Sequence, residues 1–65
     1  MMTLGEKIRF HRRIQRISQQ KLAEQLGITR LTLGKYESDV WEPSFNIVAG
    51  IAKALGLTLD YLAWG

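Results

Sequence analysis

A chain of 65 residues with no cysteine and one histidine has room for a single small core, with no disulfide or thiolate metal site to support it. The formal charge of +3 and a pI near 9.7 are moderately basic, and Lys7, Arg9, Arg12, Arg13 and Arg16 crowd the first quarter, an electrostatic footprint for a polyanion. No apolar run approaches the roughly 20 residues a bilayer needs and nothing resembles a signal peptide, so a cytoplasmic protein without a membrane partner is expected.

The punctuation reads as five helices, with strand-like alternation absent and one proline, Pro43. Thr3 and Glu6 form a capping box that opens a first helix running to about Arg16, with Leu4, Ile8 and His11 on one face. Ser18 caps a second, "QQKLAEQL", whose stripe is Leu22, Ala23 and Leu26, and Gly27 sits where a left-handed C-cap is expected. Thr29 caps a third, Arg30 to about Glu37, with Leu33 and Tyr36 inward. After the loop "SDVWEP", Ser44 caps a fourth helix through Leu55, its apolar positions Ile47, Val48, Ile51, Ala52 and Leu55 recurring at three and four; Gly56 ends it. Thr58 opens a last short helix with Leu59, Leu62 and Trp64 apolar. Without repeats or linkers, residues 1–65 form one all-α domain.

Only Gly27 and Ile28 separate helix two from the Thr29 cap. So short a connection favours a steep crossing, the geometry of a helix-turn-helix, in which the second helix protrudes. Its outward residues are then Arg30, Leu31, Gly34 and Lys35. Glycine inside a helix costs about 1 kcal/mol relative to alanine. At Gly34 that cost is understandable if the backbone must approach a DNA duplex closely; the plainer alternative is a glycine tolerated in a well-packed helix.

At these residues the chain resembles the Cro/C1-type, lambda-repressor-like helix-turn-helix family, also called the XRE family. "LGEKIRFHRR", "ISQQKLAEQLGITRLTLGKYES" and "EPSFNIVAGIAKALGLTLDYL" fall in step with it over nearly the whole chain. The resemblance implies a compact five-helix fold and binding of double-stranded DNA, a palindromic operator above all, by a transcriptional repressor. It also implies base reading by Arg30, Leu31 and Lys35, with phosphates bound near Gln19 and Thr29; Ser18 and Thr32 join them as phosphate-binding candidates at the same helix starts. Helix amino termini suit phosphates, arginine fits the guanine O6/N7 edge, and Leu31 suits a thymine methyl. Arg12 and Glu37 match a pair that forms a half-buried salt bridge in the family.

The departures are local. His11 stands where leucine is usual and is expected to be a partly buried imidazole. Arg16 replaces a glycine before Ile17, Lys21 replaces the glutamate of the second capping box, and Asp39 sits where glycine normally ends the reading helix. The resemblance further implies a two-fold contact through the loop after helix three and the last helix, here Trp41, Leu59 and Trp64, hence a homodimer. Packing within one subunit, with Trp64 against the first helix, is the alternative for these residues and for Phe10 and Ile14. The chain suits a minimal regulator or the head of a larger repressor. A competing reading is an interaction module, antitoxin-like or coactivator-like, that binds protein through Phe10, Trp41 and Trp64. No base–nucleophile pair, phosphate loop or metal-ligand spacing is evident, so no catalysis, cofactor, metal or small-molecule ligand is expected.

Overall fold

A computed structural model describes residues 1–65 as five helices: α1 (Leu4–Ile14), α2 (Gln19–Leu26), α3 (Arg30–Glu37), α4 (Phe45–Leu55) and α5 (Leu59–Trp64). Every helix begins on a Ser or Thr whose side-chain oxygen accepts from a backbone amide one turn in: Thr3, Ser18, Thr29, Ser44 and Thr58. Such a cap satisfies one orphan N–H and is worth about 1 kcal/mol. At Thr3 the box is reciprocal, with Glu6 accepting from the Thr3 amide at 2.8 Å. At Ser18 the Lys21 amide donates to the hydroxyl at 3.0 Å, and the lysine offers no return bond.

Gly27 and Gly56 end α2 and α4 at φ of 71° and 70°, where a Cβ would be strained. The first helix is shorter than its pattern predicts. It stops at Ile14, with Gln15 as its cap, because Arg16 turns into the left-handed region at φ 59° and redirects the chain toward α2.

One core joins all five helices: Ile8, Leu22, Ala23, Leu33, Val48, Ile51, Ala52, Leu55 and Leu62. Tyr36 is half-buried, outside that core. Helix ends are tied down by side chains from distant helices. Gln15 donates to the Leu55 carbonyl at 2.7 Å, closing the end of α4. The buried Lys7 ammonium donates to the Tyr61 carbonyl at 2.9 Å, near the end of α5, and lies 5.1 Å from the centre of the Tyr61 ring. His11 is half-buried and hydrogen-bonds with the Tyr61 hydroxyl at 2.8 Å.

At Gly5, α1 comes close to the end of α3. A Cβ at Gly5 would stand 2.5 Å from the Tyr36 carbonyl oxygen and 2.6 Å from that of Glu37. Asp39, at φ 61°, accepts from the Gly5 amide at 3.0 Å and the Thr3 hydroxyl at 2.6 Å. Its carboxylate therefore caps α1 from the end of α3, which a glycine there would not do.

Candidate nucleic-acid interface

The turn between α2 and α3 holds because the Ile28 amide donates to the Ala23 carbonyl at 3.0 Å while Leu22 and Leu33 are fully buried on either side. Burying one face of α3 through Leu33 turns its opposite face outward. Arg30 and Leu31 are exposed there, Leu31 at 73%. Neither α2 nor α3 carries an acid in its first turn, so their positive amino ends are not offset locally.

Between α1, the start of α2 and the start of α3 lies an open polar cleft of about 450 Å³ with no apolar residue in its wall. Arg9, Arg13 and Arg30 line it together with Ser18, Gln19 and Gln20. A fourth arginine of the cleft, Arg12, is neutralised. Its Nε donates to Glu37 Oε2 at 2.6 Å, Nη2 to Oε1 at 3.0 Å, and Nη1 to the Ile17 carbonyl at 2.8 Å. Both side chains are nearly buried, at 10% and 3% exposure. This bidentate pair fastens α1 to α3, and it is the only ion pair of the domain. Arg9, Arg13 and Arg30 keep their charges free.

Gln19 is half-buried and donates from Nε2 to Glu37 Oε1 at 3.1 Å. Its amide orientation is thus set by the same carboxylate that holds Arg12. The Ser18 hydroxyl and the Thr29 hydroxyl are engaged as caps, and Thr29 also donates to the Thr32 hydroxyl at 2.9 Å. Gly34 faces Gln19 across open space, and a Cβ there would come no closer than 3.9 Å to Gln19 Nε2. Nothing inside the protein therefore requires glycine at position 34.

Lys35 stands apart from Arg30. Five residues further round the helix, it is half-buried, and its ammonium lies 5.0 Å from the centre of the Trp41 ring. The loop after α3 folds back over it, with the Val40 amide donating to the Lys35 carbonyl at 2.9 Å.

The apolar residues without a core place divide into two regions. Trp64 does not pack on α1; it is 84% exposed, because α5 ends within one residue of it. It borders a groove of about 340 Å³ with Leu4, Pro43, Phe45 and Leu59. Trp41, 52% exposed, lies on the other side of Pro43. Phe45, which the apolar pattern of the fourth helix does not single out, is 72% exposed at the first position after the Ser44 cap and borders the same groove. Phe10 and Ile14 stand exposed on the outer face of α1. No group of His, Asp or Glu side chains is placed to hold a metal, and no helix is long and apolar enough to cross a membrane.

Residues 8–62 match the helix-turn-helix family. The chain is 38% identical over 61 residues to YonR, a prophage-derived HTH-type transcriptional regulator of Bacillus subtilis, covering 94% of this chain and 56% of YonR, so it spans about half that relative. An uncharacterized HTH-type transcriptional regulator of Methanocaldococcus jannaschii is 30% identical, with 88% of this chain and 86% of the relative covered. The crystal structure of the P22 c2 repressor in complex with a synthetic operator superposes with a TM-score of 0.93 at 29% identity, covering 100% of this chain and 98% of that one. Helix order, turn and sequence agree, and the chain belongs to the Cro/C1-type family of DNA-binding helix-turn-helix domains.

Proposed function

We propose that this domain is a sequence-specific reader of double-stranded DNA that regulates transcription, acting as a repressor, with α3 in the major groove. The observation that carries the reading is the exposed amino end of α3, with Arg30 and Leu31 outward, beside an acid-free arginine cleft at the start of α2. Arg30 suits the O6/N7 edge of guanine and Leu31 a thymine methyl. Gly34 lets the duplex approach the helix backbone, since no internal packing calls for its small size. Arg9, Arg13, Gln19, Thr32 and the capped amino ends at Ser18 and Thr29 fit phosphates on either side, fixing register without reading sequence. Lys35, beside Trp41, reads a base or phosphate one turn on from Leu31.

The domain measures at most 25 Å across, whereas two half-sites one helical turn apart are separated by about 34 Å. One copy therefore covers one half-site, and a palindromic operator calls for two. The groove at Leu59 and Trp64, with Trp41 beyond Pro43, is the surface we assign to that homodimer. Occupying an operator is sufficient for repression and needs no further surface.

Selection from a random oligonucleotide pool tests the reading. A palindrome enriched by the parent, and a relaxed consensus with unchanged melting for Arg30→Ala, is the expected outcome. Equal binding to selected and scrambled duplexes would refute it. Mass measurement of the complex on the selected duplex gives the stoichiometry, and one protein per site would refute the dimer.

A further inference from the structure

The outer face of α1 carries a feature that DNA reading leaves unused. Phe10 and Ile14, 48% and 60% exposed, stand one helical turn apart and line a shallow depression of about 440 Å³ with Glu6, Arg9 and Arg13. We propose that this face docks an acidic, amphipathic helical segment of a partner protein, and that such a partner and DNA exclude one another because both draw on Arg9 and Arg13.

The depression is of a kind that suits apolar anchors at three- and four-residue spacing, with carboxylates reaching the flanking guanidiniums. The Phe10 ring is held edge-to-face against His11 with centroids 5.2 Å apart, and His11 is fixed in turn by Tyr61 at 2.8 Å. An anchor held before binding loses little rotamer freedom on contact. Charge decides between possible occupants. Arg9 and Arg13 flank the apolar pair and Glu6 is the only acid in the depression, so the face is net positive and a second copy would set that same net charge against it across a two-fold axis. A lipid surface is favoured by a longer apolar face than two side chains provide. The polyphosphate backbone has no use for Phe10 or Ile14.

Arg9 and Arg13 also line the polar cleft at the start of α2. A carboxylate-rich helix on Phe10 and Ile14 would take the charges that phosphates need. The exclusion, unlike the docking, rests on the DNA reading given above.

The test uses a fluorescently labelled helical peptide of about 18 residues, long enough to form a helix, with leucines at three- and four-residue spacing among glutamate and alanine. Binding is measured by anisotropy, first without DNA and then with the selected duplex. The parent is expected to bind the peptide. Phe10→Ala/Ile14→Ala should weaken that binding about tenfold while leaving helix content intact and duplex affinity within about twofold. Duplex should displace the peptide. Docking is overturned if polyglutamate of equal charge binds as tightly, or if the double variant keeps full peptide affinity. It is also overturned if phosphatidylglycerol vesicles, and not the peptide, bind in a Phe10- and Ile14-dependent manner. Simultaneous binding of peptide and duplex overturns the exclusion alone. If the peptide binds while no duplex does, the docking stands and both the DNA reading and the exclusion fall.

Discussion

Replacing Gly5 with alanine sets two physical effects against each other. Helix propensity alone makes Gly5→Ala stabilising by about 1 kcal/mol. The structure gives the opposite sign. The new Cβ would lie 2.5 and 2.6 Å from the Tyr36 and Glu37 carbonyl oxygens and 2.7 Å from Asp39 Oδ1. Two of these atoms belong to backbone that cannot swing aside, so α1 must back away from α3. Overpacking of this kind costs about 1–3 kcal/mol. Moving α1 also stretches the bonds from the Gly5 amide and the Thr3 hydroxyl to Asp39, and hydrogen bonds to a charged group are worth about 1.5–3 kcal/mol. The net expectation is a loss of about 1–3 kcal/mol, a large share of the roughly 3–10 kcal/mol available to a domain of this length.

Urea denaturation followed by circular dichroism measures that loss. Thermal melting should fall by about 4–8 °C for each kcal/mol. Gly34→Ala is the matched control, because its Cβ would meet nothing nearer than 3.9 Å. It should gain about 1 kcal/mol while weakening DNA binding. A Gly5→Ala protein as stable as its parent would refute the close α1–α3 seam.

Glu37→Gln should lose about 3 kcal/mol by leaving the Arg12 guanidinium buried without its counterion, whereas Arg12→Met/Glu37→Leu should be near neutral or more stable; equal losses in both would contradict the account of the pair. Arg16→Gly should stabilise by about 0.5–1 kcal/mol by relieving a left-handed arginine, and Asp39→Gly, at the same kind of φ, should destabilise because the carboxylate that caps α1 is lost. Chemical denaturation of the two variants would contradict this if their shifts had the same sign. With Arg9 and Arg13 each neutralising a phosphate, log K should fall with log salt at about −0.9 per contact, roughly −4 for two domains. A slope shallower than about −2 in a salt series would count against the cleft as a phosphate site.

The helices were legible because their signals are local. Each Ser or Thr cap, and Gly27 and Gly56, mark ends within a turn of the residues they act on. The short Gly27–Ile28 connection likewise shows where α3 turns outward. Contacts between distant positions were less legible. Gly5 and Asp39 are 34 residues apart, Gln15 and Leu55 40, and Lys7 and Tyr61 54, and no periodicity pairs them. Lys7 does leave one trace: it falls inside the apolar stripe of Leu4, Ile8 and His11, where a charge needs a partner. Gly5 leaves another, sharing a helix face with Ile8 and Arg12, where α1 meets α3. The end of α1 was placed too late because a left-handed arginine has no residue-type signal.

The loop that folds over the end of α3 places Trp41 under the Lys35 ammonium at 5.0 Å from the ring centre. An indole beside a cation has its emission altered by that charge. If a phosphate draws Lys35 away, the quantum yield of Trp41 changes, and in a Trp64→Phe variant Trp41 is the one indole left to report it. The domain thus carries its own optical indicator of an anion at Lys35, with no dye attached.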